Sequence, residues 1–362
     1  MAHHYLDDQQ RDTLLRLRAS VTWRSEWPTW LLIVAVYGSW FFVATHARLL
    51  GLPLATALLA LAGAWYLSLQ HELLHGHPTR SSTFNALLGF APLAVWFPFG
   101  IYRDSHLAHH NDLHLTHPGL DPESWFVDAG TWQESGPFVR ALLVARNTFF
   151  GRLALGPACS IVATLAAALR KLADGDVRDL PTWIAHGVAV VALASWLAHR
   201  YGLPPLALML AGYGALSVSA VRSFHEHRVA DDAAHRSVIN EAGWFWRLLF
   251  LNNNYHLVHH DLPAVPWYAL RKVYEASRQQ YIERSGSFLV KGYSEWMKHY
   301  SFARIAHPVY GDPSGLIWEN PPASGSFAGK LRVKFMIVVR RGKLHEAHLR
   351  AAAERQTARQ AL

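Results

Sequence analysis

The chain has 362 residues, of which 51% are hydrophobic and only 17% charged, with a formal net charge of +8; it is more apolar and less charged than an ordinary soluble domain and points to a bilayer. The single cysteine, Cys159, excludes an internal disulfide, a Cys-ligated iron–sulfur cluster and a thiolate zinc site within one chain, so any metal must be held by nitrogen and oxygen. The basic residues form neither a dense tract nor a recognition motif, so nucleic acid is not expected as a partner.

Charged residues are absent from Trp27–Ala47, Leu49–His71, Ser81–Tyr102, Leu153–Leu169, Leu180–His199 and Tyr201–Val221, each close to the roughly 20 residues of a membrane span. Ahead of the first run, residues 1–26 are polar and amphipathic, with Leu14, Leu15 and Leu17 as apolar positions, and are expected on a membrane surface. Arg11, Arg16, Arg18 and Arg24 precede that run, whereas the turn after it offers only Arg48, so the amino terminus reads as cytoplasmic. The first run begins late and lacks a small-residue cleavage site, so it is expected to stay as an anchor.

Trp27–Ala47 and Pro53–Gln70 are predicted to form a helical hairpin around a Gly51/Pro53 turn. At 1.5 Å per residue, Pro53 to His71 covers about 27 Å, which brings His71-Glu72-Leu73-Leu74-His75 to the far edge of the hydrocarbon core. Two imidazoles four residues apart on a helix share one face and can hold one metal ion. The pattern alone is ambiguous, since His-Glu-x-x-His is also a zinc-protease signature. It is joined by two further clusters, His106-x-x-His109-His110 and His256-x-x-His259-His260, each with imidazoles at i, i+3 and i+4 and each following an apolar segment.

Ser81–Tyr102 is broken by Gly89, Pro92, Pro98 and Gly100, as in a segment that dips into the membrane and returns, which would put His106 on the side of His71. Asn111–Ser135 reads as a cytoplasmic loop rich in turn formers, including Leu115-Thr116-His117-Pro118 and Asp121-Pro122-Glu123-Ser124. Leu153–Leu169 is long enough to cross, but Arg140, Arg146, Arg152, Arg170 and Lys171 make an interfacial helix an equal alternative. Leu180–His199 and Leu203–Val221 form a second hairpin, after which Ser223-Phe224-His225-Glu226-His227-Arg228 emerges into the cytoplasm. The remainder to about Gly311 is expected to cap the site. Residues 312–362 read as an appendage of unassigned role. The fold class is thus an all-α integral membrane protein of four spans in two hairpins, with a cytoplasmic helical cap over a histidine-rich centre. The organisation is residues 1–26, a membrane domain 27–311 and the appendage.

This order of motifs resembles the membrane fatty acid desaturase family over roughly Trp27 to Gly311. Local matches are Arg103-Asp104-Ser105-His106-Leu107-Ala108-His109-His110, Asp121-Pro122-Glu123-Ser124, Glu226-His227-Arg228 and Asn254-Tyr255-His256-Leu257-Val258-His259-His260 ahead of Pro263. The resemblance implies a four-span enzyme with two irons, O2 as co-substrate, an acyl or other lipid substrate and a site facing the cytoplasm, as at a bacterial inner membrane. Imidazole-rich sites suit iron, whose oxidising power the removal of hydrogen from an unactivated methylene requires.

The expected ligands, which are also the catalytic centre, are His71, His75, His106, His109, His110, His227, His256, His259 and His260. Helical phase leaves His225 and His227 as alternatives, and the family-like Glu226-His227-Arg228 selects His227. Glu72, Asp112 and Glu226 are candidates to orient rings by accepting their other N–H. Asn252 and Asn254 are candidates to hold a ligating water. His77, about 240° around the helix from His71 and followed by Pro78, is expected outside the centre. His46, His114, His117, His186 and His199 read as interfacial or loop residues.

Other readings are a hydroxylase or ketolase acting on lipid, alkane or carotenoid at the same iron site, and an intramembrane zinc protease with His71, His75 and Glu72. A metal transporter or sensor would need polar groups inside the spans, where no carboxylate falls. With no Cys set, dinucleotide motif or haem module, electrons must come from a ferredoxin or cytochrome with its reductase. The basic surface of Arg271, Lys272, Arg278 and Arg284 is the expected docking face.

Overall fold

A computed structural model describes residues 4–311; the 312–362 appendage and the side chain of Asp112 lie outside the described residues. The described chain is almost entirely helical. Helix α1 (Asp8–Ala19) is capped by Asp7, whose carboxylate accepts from the backbone N–H of Gln10 at 2.7 Å. It is followed by α2 (Trp27–Thr45) and α3 (Leu52–Leu74), each with a proline in its first turn. Gly51, at φ +78°, makes the turn between them. Next come α4 (Phe99–His109), α5 (Phe149–Ala173) and the hairpin of α6 (Leu180–Tyr201) and α7 (Pro205–Arg222). Gly202, left-handed at φ +70°, ends α6, and Pro205 opens α7.

Five of these helices, α2, α3, α5, α6 and α7, are long and apolar enough to cross a membrane. That is one more than the four expected spans, the fifth being the helix over Leu153–Leu169, which runs further at both ends than its charge-free stretch. The central pair is α3 and α7. A Cβ on Gly63 would meet the Ala215 Cβ at 2.9 Å, and one on Gly214 would meet the Ala60 Cβ at 2.7 Å. Small residues thus let the two backbones approach more closely than any larger pair would, which is how helices associate where no water drives them together.

The broken Ser81–Tyr102 stretch brings His106 beside His71, the same-side placement expected of it. A short helix, Ser82–Gly89, gives way to an irregular segment before α4 begins beyond Pro98. Irregular backbone packed among apolar helices needs partners. Tyr66 of α3 donates to the carbonyls of Gly89 and Ala91 at 2.7 and 2.6 Å, Gln70 donates to Gly89 at 2.8 Å, and His186 bonds the Val95 carbonyl at 2.7 Å.

Beyond α7 the chain forms a cap from α8 (Trp244–Leu249), α9 (His256–Asp261) and α10 (Trp267–Ala276). Ile239–Asn240 pairs in parallel with Leu289–Val290. Leu14 of α1 is buried in the cap core with Tyr255, Leu270, Tyr274 and Tyr281, and Gln10 donates to the Tyr281 hydroxyl at 2.7 Å. Leu15, about 100° further around α1, is 54% exposed. The apolar side of α1 is therefore turned to the cap.

Candidate metal centre

Two groups of buried or half-buried imidazoles lie where these helices end. His71, His75, His106, His110 and His259 form one; His109, His227, His256 and His260 form the other; in each, the candidate ligand atoms all lie within 4.8 Å of one another. All nine expected ligands are brought together, from positions up to 189 residues apart (His71 to His260). Helix α3 supplies His71 in its last turn and His75 at its C-cap. Helix α4 supplies His106 and His109, with His110 as its C-cap, and the short α9 supplies the last three. The α4 and α9 clusters are each split between the two groups, because i+3 and i+4 point about 100° apart on a helix.

The rings meet through their Nε2 atoms. These stand 3.1 Å apart for His106–His110 and His109–His227, 3.0 Å for His227–His256 and His110–His259, and 3.2 Å for His256–His260. Several of the same rings have Nδ1 turned outward to a partner. His109 reaches Asp121 at 2.8 Å, His106 reaches Glu123 at 3.1 Å, His227 reaches Ser237 at 3.1 Å, and His256 reaches the Asn253 amide oxygen at 3.1 Å and Glu226 at 3.5 Å. A neutral imidazole that donates through Nδ1 presents a bare lone pair at Nε2. Lone pairs facing one another about 3 Å apart suit a cation between them, since metal–nitrogen bonds of about 2.1 Å at right angles put the nitrogens about 3 Å apart. The donor set thus fits two metal ions held by nitrogen.

Protonation fits at most of the rings; His109, which three carboxylates hold protonated, has to release its proton when a metal binds. Burial holds His75, His110, His227, His256 and His259 well below the ordinary imidazole range, helped by neighbouring rings, so they are neutral and free to ligate. Burial also disfavours charge on His109, but Glu123, Asp121 and Glu226 outweigh it and push that ring up to about 9. Glu123 is disfavoured as an anion by burial, yet the rings of His106 and His109 hold it down at about 2.

The residues expected to orient rings divide. Glu226 stands beside His256 and also pairs with Arg222 at 2.8 Å. Glu72, one residue and hence about 100° from His71, accepts instead from the Trp267 backbone N–H at 2.8 Å. Asn252 donates to the Trp267 carbonyl and Asn254 to the Asn240 carbonyl, whereas Asn253, between them, faces both His71 at 3.3 Å and His256 at 3.1 Å. Asp121, Glu123, Ser237 and Asn253 went unassigned in the sequence. Asp121-Pro122-Glu123-Ser124 stands in the sequence as a turn-rich loop and a family match, without roles for its carboxylates; Ser237 and Asn253 carry no spacing signal.

His77 lies outside both groups, paired with Glu26 at 2.8 Å. His225 packs against Phe288 and Trp296, and burial beside Arg152 and Arg228 pushes it down to about 3. His46, His117, His186 and His199 bond backbone carbonyls, and His114 meets Asn111.

A cavity of about 380 Å³ reaches the centre. Its wall includes His71, His109 and His227, residues of α3 and α7, and one side of α5. Comparison with curated proteins gives no match. The fatty acid desaturase family matches over residues 47–291, two-thirds of the chain and all nine histidines. With its imidazole groups at the ends of apolar helices, the chain belongs to the fatty acid desaturase family, whose members are di-iron oxidoreductases.

Proposed function

We propose that this protein is a membrane desaturase that introduces a double bond into an acyl chain, using O2 and electrons from a separate ferredoxin or cytochrome with its reductase. The observation that carries the reading is the pair of imidazole groups opening onto a cavity of about 380 Å³. His71, His75, His106, His110 and His259 would hold one iron, and His109, His227, His256 and His260 the other; bound there, the pair would supply the power to oxidise an unactivated methylene. Asp121 and Glu123 accept the Nδ1 protons of His109 and His106, which keeps each Nε2 lone pair directed inward. Asn253 ties a ring of one group to a ring of the other. The cavity wall of Phe97, Ile101 and Leu216 keeps water from the reacting carbon.

The topology in this reading has four spans, and chain direction supports it. Helices α3 and α7 both end at the centre, so the antiparallel α6 starts on that side; Thr182, near its start, lies against Gly100 at the head of α4. Helix α5 also begins there, with Arg152 donating to the Ser223 carbonyl at 3.3 Å. A helix that starts and finishes on one side lies along the interface. The positive-inside bias makes that side the cytoplasm, as at a bacterial inner membrane. Residues 27–311 then form the membrane domain and cap, with 1–26 as a cytoplasmic segment and 312–362 as an appendage.

The electron donor remains a separate protein, but its proposed docking charges are reduced. Arg271, Arg278 and Arg284 pair with Glu275, Glu241 and Asp261, leaving Lys272 as the member of that set with no ion pair among the described residues. Two measurements test the proposal. Purified protein is expected to carry iron in both groups, and one zinc per chain would overturn the di-iron centre. Mass spectrometry of lipids from an expressing host is expected to show loss of two hydrogens; gain of one oxygen would make the enzyme a hydroxylase.

A further inference from the structure

The cavity beside the centre is charged as well as apolar. Arg146 and Arg152 line it together with Arg222, Asp121, Glu123 and Glu226. The carboxylates are engaged: Asp121 and Glu123 with His109 and His106, Glu226 with Arg222 and His256. Arg146 and Arg152 have no carboxylate within 4 Å among the described residues. Their partners are neutral oxygens and, for Arg146, the Cys159 thiol. Arg152 donates to the carbonyls of Arg146 and Ser223 and to the Asn147 side chain, and its guanidinium lies 3.7 Å over the Trp125 ring. Arg146 donates to the Trp125 carbonyl at 2.6 Å, and its Nε is buried with no hydrogen-bond partner. A buried and a half-buried cation with no paired carboxylate are costly to maintain, and so is an unpaired buried N–H.

From Arg152 one face of α5 continues along the cavity through Cys159, Ser160, Ala163 and Thr164. These positions, at i+7, i+8, i+11 and i+12, form a single helical stripe that reaches about 18 Å from the arginine. Every side chain on it is small. Ala163, towards the far end, is exposed, so the cavity opens there on the apolar flank of the protein.

We propose that Arg146 and Arg152 bind the anionic head of the substrate, a carboxylate or phosphate, while its hydrocarbon chain lies along the Cys159–Thr164 face of α5. The substrate class is then a single-chain anionic amphiphile rather than a neutral lipid or hydrocarbon. The inference rests on the cavity being the substrate site of the desaturase proposed above, but its test does not depend on which oxidation occurs. Arg152 also clamps three segments, so Arg146 is the position to vary.

The iron-loaded, full-length protein in nanodiscs of neutral lipid is titrated calorimetrically with dodecanoate, dodecyl phosphate, 1-dodecanol and inorganic phosphate. The wild type is expected to bind the two anionic amphiphiles at least about tenfold more tightly than the alcohol, as a charge-assisted contact of about 1.5–3 kcal/mol implies. Arg146→Gln is expected to lose that preference, and Arg146→Lys to keep part of it, with iron content unchanged in both. Ser160→Phe is expected to weaken dodecanoate by about tenfold or more while leaving octanoate within about twofold, because bulk on the stripe obstructs the longer chain. No preference in the wild type, or an unchanged preference in Arg146→Gln, would overturn the anion site. Inorganic phosphate binding as tightly as dodecyl phosphate would overturn the amphiphile in favour of a free anion. Equal loss of both chain lengths in Ser160→Phe would overturn the placement along α5. Failure of the desaturase reading appears separately, in the product masses.

Discussion

The two imidazole groups differ in how firmly their rings are held. In the group of four, His109, His227 and His256 each have Nδ1 fixed by Asp121, Ser237, and Asn253 with Glu226. In the group of five, His106 has Glu123, whose side chain is 33% exposed, and two rings, His75 and His110, are only half-buried against one, His227, in the group of four. One group is oriented by buried polar partners; the other relies on a larger number of rings and on the rigidity of α3. A metal site can gain precision either from the partners of its ligands or from the element that carries them.

Removing a ring tests each group most severely. His75→Ala and His227→Ala are expected to abolish activity and lose bound iron, whereas His77→Ala and His225→Ala retain iron, as elemental analysis of the purified proteins will show. Loss of iron in His77→Ala with retention in His75→Ala would invert the assignment on α3. Next in size come the carboxylates. Asp121→Asn should weaken iron binding or activity by about 10–100-fold, the usual range for a partner of a ligating histidine. Glu123→Gln should do less, because Asp121 is buried and also accepts from the backbone N–H groups of Thr116 and Glu123 at 2.9 Å, while Glu123 is partly open to solvent. Competition with a chelator reads both, and an equal loss would erase the distinction between the groups.

A smaller effect separates carrier from partner. Gly214→Ala puts a methyl against Ala60 and should cost about 1–3 kcal/mol of stability through overpacking, read as a lower Tm. It should also displace His71 and His75, on α3, relative to His227, beyond α7. Smallest is Ser237→Ala, which removes one neutral hydrogen bond from His227 and should cost about 0.5–1.5 kcal/mol in iron affinity. An effect as large as that of Asp121→Asn would mean that the hydroxyl, rather than the packing around His227, fixes the tautomer.

The parts legible in the sequence were those written in local periodicity. Charge-free runs marked the long helices, and the i, i+3, i+4 spacing marked three histidine clusters, because both follow from helix geometry over a few residues. His227 needed the family resemblance, since nothing local fixes the rotation of a chain leaving α7. The partition of α4 and α9 between two groups, and the roles of Asp121, Glu123 and Asn253, depend on contacts across 12, 17 and 182 residues, for which spacing carries no signal. Composition allowed the helix over Leu153–Leu169 to cross or to lie flat; the direction of its neighbours favours the second.

The contact between α1 and the cap sets an order of events during synthesis. Gln10 leaves the ribosome 271 residues ahead of Tyr281, the residue it finally bonds. At about 5–20 residues per second, that interval is roughly 14–54 s, and within it every long apolar helix must enter the bilayer. Throughout it α1 waits without its partner. A helix with a broad apolar face would be a target for premature association over that time. One whose deeply buried apolar side chain is Leu14, set among Asp7, Asp8, Arg11, Asp12 and Arg16, can wait in water and close onto the cap last.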